Sequence, residues 1–152
     1  MSKVIFKINS LKQEKDIYKM VQDNLEFLKE NKIQFTWPQK SISEEYNEKA
    51  LTDFKDYLEK KWQQNEKEFC GKLKDFFNIK ENDYIIYISN YGTGGCYNLP
   101  NRVTINKNFD YDYIRLIKHE LIHLIIEPFI KKYKITHNKK ENFVNTILEL
   151  LN

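Results

Sequence analysis

Apolar and polar residues alternate over Val4–Ile8, the period of a half-buried strand, and Asn9-Ser10 then offers a helix N-cap. Ile17, Met20, Val21, Leu25 and Leu28 recur at helical spacing, which predicts one amphipathic helix over residues 11–32. Residues 33–37 form a short strand candidate ended by Pro38, and 39–43 are polar connection. Ser43, Glu44, Glu45 and Tyr46 approximate a capping box for a helix that carries Tyr46, Ala50, Phe54, Tyr57, Leu58 and Trp62 on one side. The same spacing continues through Phe69, Leu73 and Phe77, with Gly71 as the expected interruption.

Further along, residues 84–88 (YIIYI) are β-branched and aromatic, as in a strand inside a sheet, and 102–106 (RVTIN) alternate again. The irregular SNYGTGGCYNLPN lies between them, so the expected pairing is a hairpin around a glycine-rich connection. Asp110 or Asp112 caps an apolar helix over 113–127 that Pro128 helps to end, and a last helix spans 139–151.

The 152 residues fit one domain, 1–152, with enough material for a core. Helices before and after a few strands define an α+β chain. Basic residues number 25 and acidic residues 22, both signs interspersed, which is the pattern of a solvated surface. A dense nucleic-acid footprint is absent apart from the local cluster Lys131, Lys132, Lys134, Lys139 and Lys140. No run reaches the roughly 18 apolar residues of a membrane span, and the N-terminus lacks the apolar core of a secretory signal. The expectation is a soluble cytoplasmic protein with no membrane partner, in which Cys70 and Cys96 are thiols.

The chemistry concentrates in His119-Glu120-Leu121-Ile122-His123, an HExxH pattern. On a helix, positions i and i+4 share a face, so both imidazoles can bind one Zn²⁺ while Glu120 sits beside it as general base and acid for the metal's water. With three histidines in the chain, a shuffled sequence yields this pattern in on the order of four per thousand cases, so chance is a poor explanation. Apolar residues almost all round the helix imply burial, and buried imidazoles need partners that a metal supplies.

A third ligand must come from elsewhere, because Phe129 stands where an HExxHxxGxxH site would need its last His. Glu127, His137 and Glu141 are the candidates. Glu127 follows His123 on the same helix and is badly placed to close a compact site; it reads as a surface or supporting carboxylate. His137 reads as a loop or substrate-side histidine. Glu141 starts a separate helix with Asn145 one turn later; the plainer alternative is that it closes an Asn138 capping box.

HELIH followed by a helix-opening glutamate resembles the gluzincin zinc peptidases, and the short chain after it is similar to the minigluzincins. The resemblance covers residues 92–152. It implies that Zn²⁺ is held by His119, His123 and Glu141, that Glu120 is the catalytic base, and that Asn145 orients the first imidazole in place of the family's usual acidic residue. It also implies an α+β, zincin-like fold: a small mixed sheet with an edge substrate-binding strand, packed on an active-site helix and a backing helix, preceded by long amphipathic helices. The glycine-rich segment would then supply that edge for an extended peptide or protein substrate. Tyr91, Tyr97 and Tyr133 are oxyanion-donor candidates against a plainer role in packing, and Cys96 is either a loop thiol or a blocking ligand. A monomer and a self-inhibited oligomer both fit. The alternatives are a zincin-fold protein that binds zinc and a partner with little turnover, or a basic nucleic-acid-binding module on the lysine cluster.

Overall fold

The computed structural model describes residues 2–152. In chain order the elements are β1 (Val4–Ile8), α1 (Leu11–Asp23), α2 (Leu25–Glu30), β2 (Phe35–Thr36), α3 (Ile42–Glu45), α4 (Glu48–Phe77), β3 (Tyr84–Ser89), β4 (Gly92–Thr93), β5 (Gly95–Asn98), β6 (Arg102–Asn106), α5 (Tyr113–Lys132) and α6 (His137–Leu151). This is an α+β arrangement of six helices around a four-stranded mixed sheet ordered β1-β3-β6-β5, with β2 and β4 forming a separate short pair. No helix among the described residues is long and apolar enough to cross a membrane.

Alternation decides which sheet face is covered. Val4 and Phe6, Tyr84, Ile86 and Ile88, and Val103 and Ile105 are all buried and join one apolar cluster with residues of α4, α5 and α6, whereas Ile5 on the opposite face of β1 is exposed. Leu51, Leu58, Trp62, Phe69 and Leu73 supply the contribution of α4, with Trp62 and Phe69 meeting edge to face at 6.0 Å between centroids. Each such large side chain contributes roughly 1.5–3 kcal/mol through burial, so this long helix is anchored by packing over most of its length.

That anchoring explains why Gly71 does not interrupt α4: the helix is continuous over 30 residues and ends instead at Asn78, which takes the left-handed conformation. Three further expectations are corrected. The capping box lies two residues earlier than expected, with Ser41 Oγ accepting from the Glu44 N–H at 3.2 Å and Glu44 accepting from the Ser41 N–H at 3.1 Å. Tyr46 is extended and α4 restarts from an Asn47 cap. The first helix breaks at Asn24 into α1 and α2. Pro128 does not end α5, which runs on to Lys132, because Ile126 and Ile130 on either side of it are buried and hold the last turn in place.

The largest correction concerns the expected hairpin. β3 and β6 are parallel, with Ile86 opposite Val103 and Ile88 opposite Ile105. The strand that pairs antiparallel with β6 is β5, drawn from the glycine-rich segment itself. A parallel pair needs a crossover of about a dozen residues, and the segment between β3 and β6 supplies it while also forming the sheet edge.

One buried carboxylate ties the N-terminal helix to the ends of the strands. Glu14 of α1 is 0% exposed and accepts from Ser89 Oγ at 2.5 Å, the Asn90 N–H at 2.8 Å and Asn9 Nδ2 at 3.4 Å. Burial raises its pKa above the ordinary 4.5, against the opposing pull of those hydrogen bonds. The native state therefore holds this proton more tightly than the unfolded chain does. Stability from the group is fully present below about pH 4.5 and declines as pH rises through the raised value. Chemical denaturation between pH 4 and 8 is expected to show wild type losing stability relative to Glu14→Gln as pH rises, and a constant difference would contradict the assignment. At Gly71 an added Cβ meets nothing within 4 Å, so Gly71→Ala should raise the unfolding free energy by about 1 kcal/mol in the same measurement.

Candidate metal centre

Helix α5 begins at Asp112, whose carboxylate accepts from the N–H groups of Ile114 and Arg115, both at 3.1 Å. Ile117, Leu121, Ile122, Leu124 and Ile126 bury the helix between α4, α6 and the sheet. His119 and His123 project from it into a cleft bounded by β5 on one side and α6 on the other, and His123 is 2% exposed. Helix α6 starts at His137 after Thr136, two residues earlier than expected. Asn138 is thus inside the helix and not its cap, and Glu141 lies in the second turn, facing α5.

The structure brings His119, His123 and Glu141 together. Their ligand atoms all lie within 4.8 Å of one another. His119 Nε2 and His123 Nε2 are 3.0 Å apart, His119 Nε2 is 3.2 Å from Glu141 Oε2, and His123 Nε2 is 3.3 Å from Glu141 Oε1. Tetrahedral zinc with bonds of roughly 2.0–2.1 Å places its ligand atoms about 3.3 Å apart. Two imidazoles and one carboxylate at this spacing match zinc in donor chemistry and in size. His137 stays outside the trio: its Nδ1 is 3.8 Å from Glu141 Oε1, and its ring meets Phe27 of α2 edge to face at 5.7 Å.

Electrostatics follow from burial and from the crowding of acids and imidazoles. Burial lowers the pKa of His123, outweighing the pull of Glu141. For His119 burial acts the same way, but the hydrogen bond to Glu141, the charges of Glu120 and Glu141, and the Asn145 side chain together raise it. Asn145, one turn after Glu141 on α6, thus lies beside His119. Glu141 is held well below the usual carboxylate range because the hydrogen bonds from both imidazoles overcome its own burial. Glu120, 6% exposed, is pushed up to about 7 by burial, with the Glu141 charge adding and His119 opposing.

Gly95 lets the sheet edge lie close against Glu120. A Cβ there would stand 2.8 Å from Glu120 Oε1 and 3.0 Å from Leu116 Cδ1, so a larger residue would have to push these side-chain ends aside. The cleft continues to both sides. A cavity of about 640 Å³ extends past Gly94, Tyr111, Arg115 and Leu116, and one of about 320 Å³ extends past Tyr97, Lys140 and His137. The two share Ile33, Thr93, Gly95 and His119, so they are halves of one cleft crossing the His/His/Glu cluster.

Of the tyrosines, Tyr97 stacks on His123, while Tyr91 donates to Glu45 at 2.5 Å and Tyr133 is 58% exposed beside Phe129. Cys96 lines the cleft, but burial first and the Glu120 charge second push its thiol up to about 12, which disfavours the thiolate a metal needs. Glu127 is buried and bonded to Tyr97, outside the trio. Lys140 and Ile33 carried no readable signal as cleft residues: one is a lysine among lysines, the other an isoleucine in a short apolar run.

The chain matches no family model, no curated protein and no solved structure.

Metal analysis of the purified protein should find about one Zn²⁺ per chain, lost in His119→Ala or His123→Ala. In chelator competition Glu141→Gln should weaken binding far more than His137→Ala; the reverse order would move the third ligand to His137.

Proposed function

We propose that the protein is a zinc-dependent metallopeptidase of gluzincin type, minigluzincin-like in scale and zincin-like in architecture. The observation that carries the reading is the pair of imidazole nitrogens 3.0 Å apart on one helix, each within 3.2–3.3 Å of one oxygen of the Glu141 carboxylate on another, with the carboxylate of Glu120 against a free sheet edge at Gly95. His119, His123 and Glu141 would hold the ion. Zn²⁺, when bound, supplies a Lewis acid that polarises a carbonyl and acidifies water.

The chain's own residues account for the rest. On β5 the Asn106 N–H bonds to the Gly94 carbonyl at 2.9 Å, and antiparallel pairing alternates, so the backbone groups of Gly95 and Tyr97 face away from β6. An extended peptide can add to them as a further strand, with main-chain hydrogen bonds supplying affinity that does not depend on side-chain identity. β2 already pairs with Gly92–Thr93, which confines the free edge to β5, and the Gly95 carbonyl on that edge also accepts from Thr93 Oγ1 at 2.9 Å, leaving one lone pair for a peptide N–H. A peptide so held places a carbonyl beside Glu120. That carboxylate takes a proton from the attacking water and hands it to the departing amine, so one group serves both halves of the hydrolysis. Ile33 and Tyr111 shape the side-chain pockets of the cleft.

Removing the carboxylate should separate chemistry from metal binding. Glu120→Ala is expected to keep its zinc and its fold but to cleave a mixed peptide library roughly 10²- to 10⁴-fold more slowly, as loss of general acid and base catalysis does. Equal cleavage by wild type and variant would remove Glu120 from the reaction and with it the proposed activity.

A further inference from the structure

The Nε2 of His123 belongs to the ligand cluster, but its Nδ1 is buried and has no hydrogen-bond partner. Imidazole ligands usually donate from the second nitrogen to a carboxylate or carbonyl, and that bond fixes the ring. What lies against the His123 ring instead is the ring of Tyr97, parallel to within 9° at 4.8 Å between centroids. Stacking of this kind restrains tilt of the imidazole but leaves rotation within its plane free, and the contact of Nε2 with Glu141 at 3.3 Å limits that rotation.

Tyr97 is itself clamped at its far end. Its hydroxyl donates to Glu127 Oε2 at 2.6 Å and accepts from Lys140 Nζ at 2.8 Å, and Lys140 Nζ lies 4.0 Å from the same Glu127 oxygen. The three residues come from the three elements that build the site. Tyr97 is on the edge strand, Glu127 is one turn beyond His123 on α5, and Lys140 immediately precedes Glu141 on α6. Glu127 is buried at 9% exposure, yet it is turned to the phenol and the ammonium and not to the ligand cluster.

We propose that Tyr97, Glu127 and Lys140 are positioning residues of the metal centre, orienting His123 by a clamped aromatic stack where a hydrogen bond to Nδ1 is missing, and tying that orientation to the placement of Glu141. This rests on the metal-site reading above. The network makes no contact with a metal; it acts through His123 and through the α5–α6–β5 junction. Tyr97→Leu removes the stack, whereas Tyr97→Phe keeps an aromatic ring but releases it from Glu127 and Lys140, and Lys140→Met releases it from one side only.

The test uses the full chain and two readouts: zinc affinity by competition with a chromophoric chelator, and the visible absorption bands of the Co²⁺-substituted protein, which report ligand geometry. Tyr97→Leu should bind zinc roughly 10- to 100-fold more weakly, the range typical of lost support around a ligand, with shifted Co²⁺ bands. Tyr97→Phe and Lys140→Met should each weaken binding several-fold, and the double variant no more than the worse single one, because they disable the same clamp. Tyr133→Leu, remote from the site, should change neither readout. A folded Tyr97→Leu protein with wild-type affinity and bands would overturn the proposal while leaving the metal centre standing. Should Tyr97→Leu fail to fold, wild-type values in both Tyr97→Phe and Lys140→Met would overturn it. Wild-type protein that binds no zinc would defeat the metal-centre reading itself, and this proposal with it.

Discussion

Packing α5 against α6 and β5 crowds two imidazoles and two carboxylates into one small volume, His123 and Glu120 buried and His119 and Glu141 half-buried, and the remainder of the molecule is arranged around that cost. An unpartnered buried polar group costs roughly 1–3 kcal/mol, and a buried charge more, so such a crowd cannot be left to chance in a domain of ordinary stability. Mutual hydrogen bonding meets part of the requirement: Glu141 spans both imidazoles, and Asn145 supports His119. The same mutual satisfaction gathers one candidate ligand atom from each of His119, His123 and Glu141 within 4.8 Å of one another, close enough for a single ion to meet all three. Two solutions to one electrostatic problem, internal pairing and metal binding, thus use the same geometry.

The N-terminal half of the chain takes part in this through the cleft. Asn31 and Lys32 end α2 in a Schellman turn, with Lys32 left-handed, its N–H bonded to the Lys29 carbonyl, and the Ile33 N–H bonded to the Leu28 carbonyl at 2.9 Å. That turn sends Ile33 over the cleft and delivers Phe35 to pair with Thr93. Phe27 on the same helix meets His137. The first helices therefore form a wall facing α5 and α6, held in place through Glu14 by the ends of β1 and β3. A change in the packing of α1 or α2 would alter the width of the cleft without touching the ligand cluster.

Much of this was readable from residue order. Period-2 alternation located β1 and β6, β-branched and aromatic content located β3, helical spacing located α1 and α4, an apolar run behind an Asp cap located α5, and the i, i+4 relation of His119 and His123 put two candidate ligand atoms on one face before any fold was known. Glu141 could be nominated because it sits on a different helix, and a single helix cannot surround an ion. Local rules were weaker where two signals of equal strength lay close together. Ser41 and Ser43 are both sound caps, and contacts outside the local motif favour the break that makes Ser41 the cap, among them the Tyr46 hydroxyl bonding to the Asn9 carbonyl at 2.9 Å and Tyr91 donating to Glu45 at 2.5 Å.

What the sequence by itself determined is the inventory of periodic elements and the one motif whose ligands lie within a single helix, because both depend on neighbours along the chain. Tertiary structure decided everything that depends on neighbours across it. β5 is a strand because β6 offers it a partner, and no glycine-rich segment announces that from its own residues. Gly71 and Pro128 are carried inside helices because buried side chains on either side outweigh a local penalty of about 1 to 3 kcal/mol. Tyr97, Glu127 and Lys140, far apart in the chain and each read there for a different role, meet beside His123 only because a strand edge and two helices converge there. Backbone hydrogen bonds and apolar periodicity act locally and leave a trace in residue order, while side-chain networks form between elements and leave none.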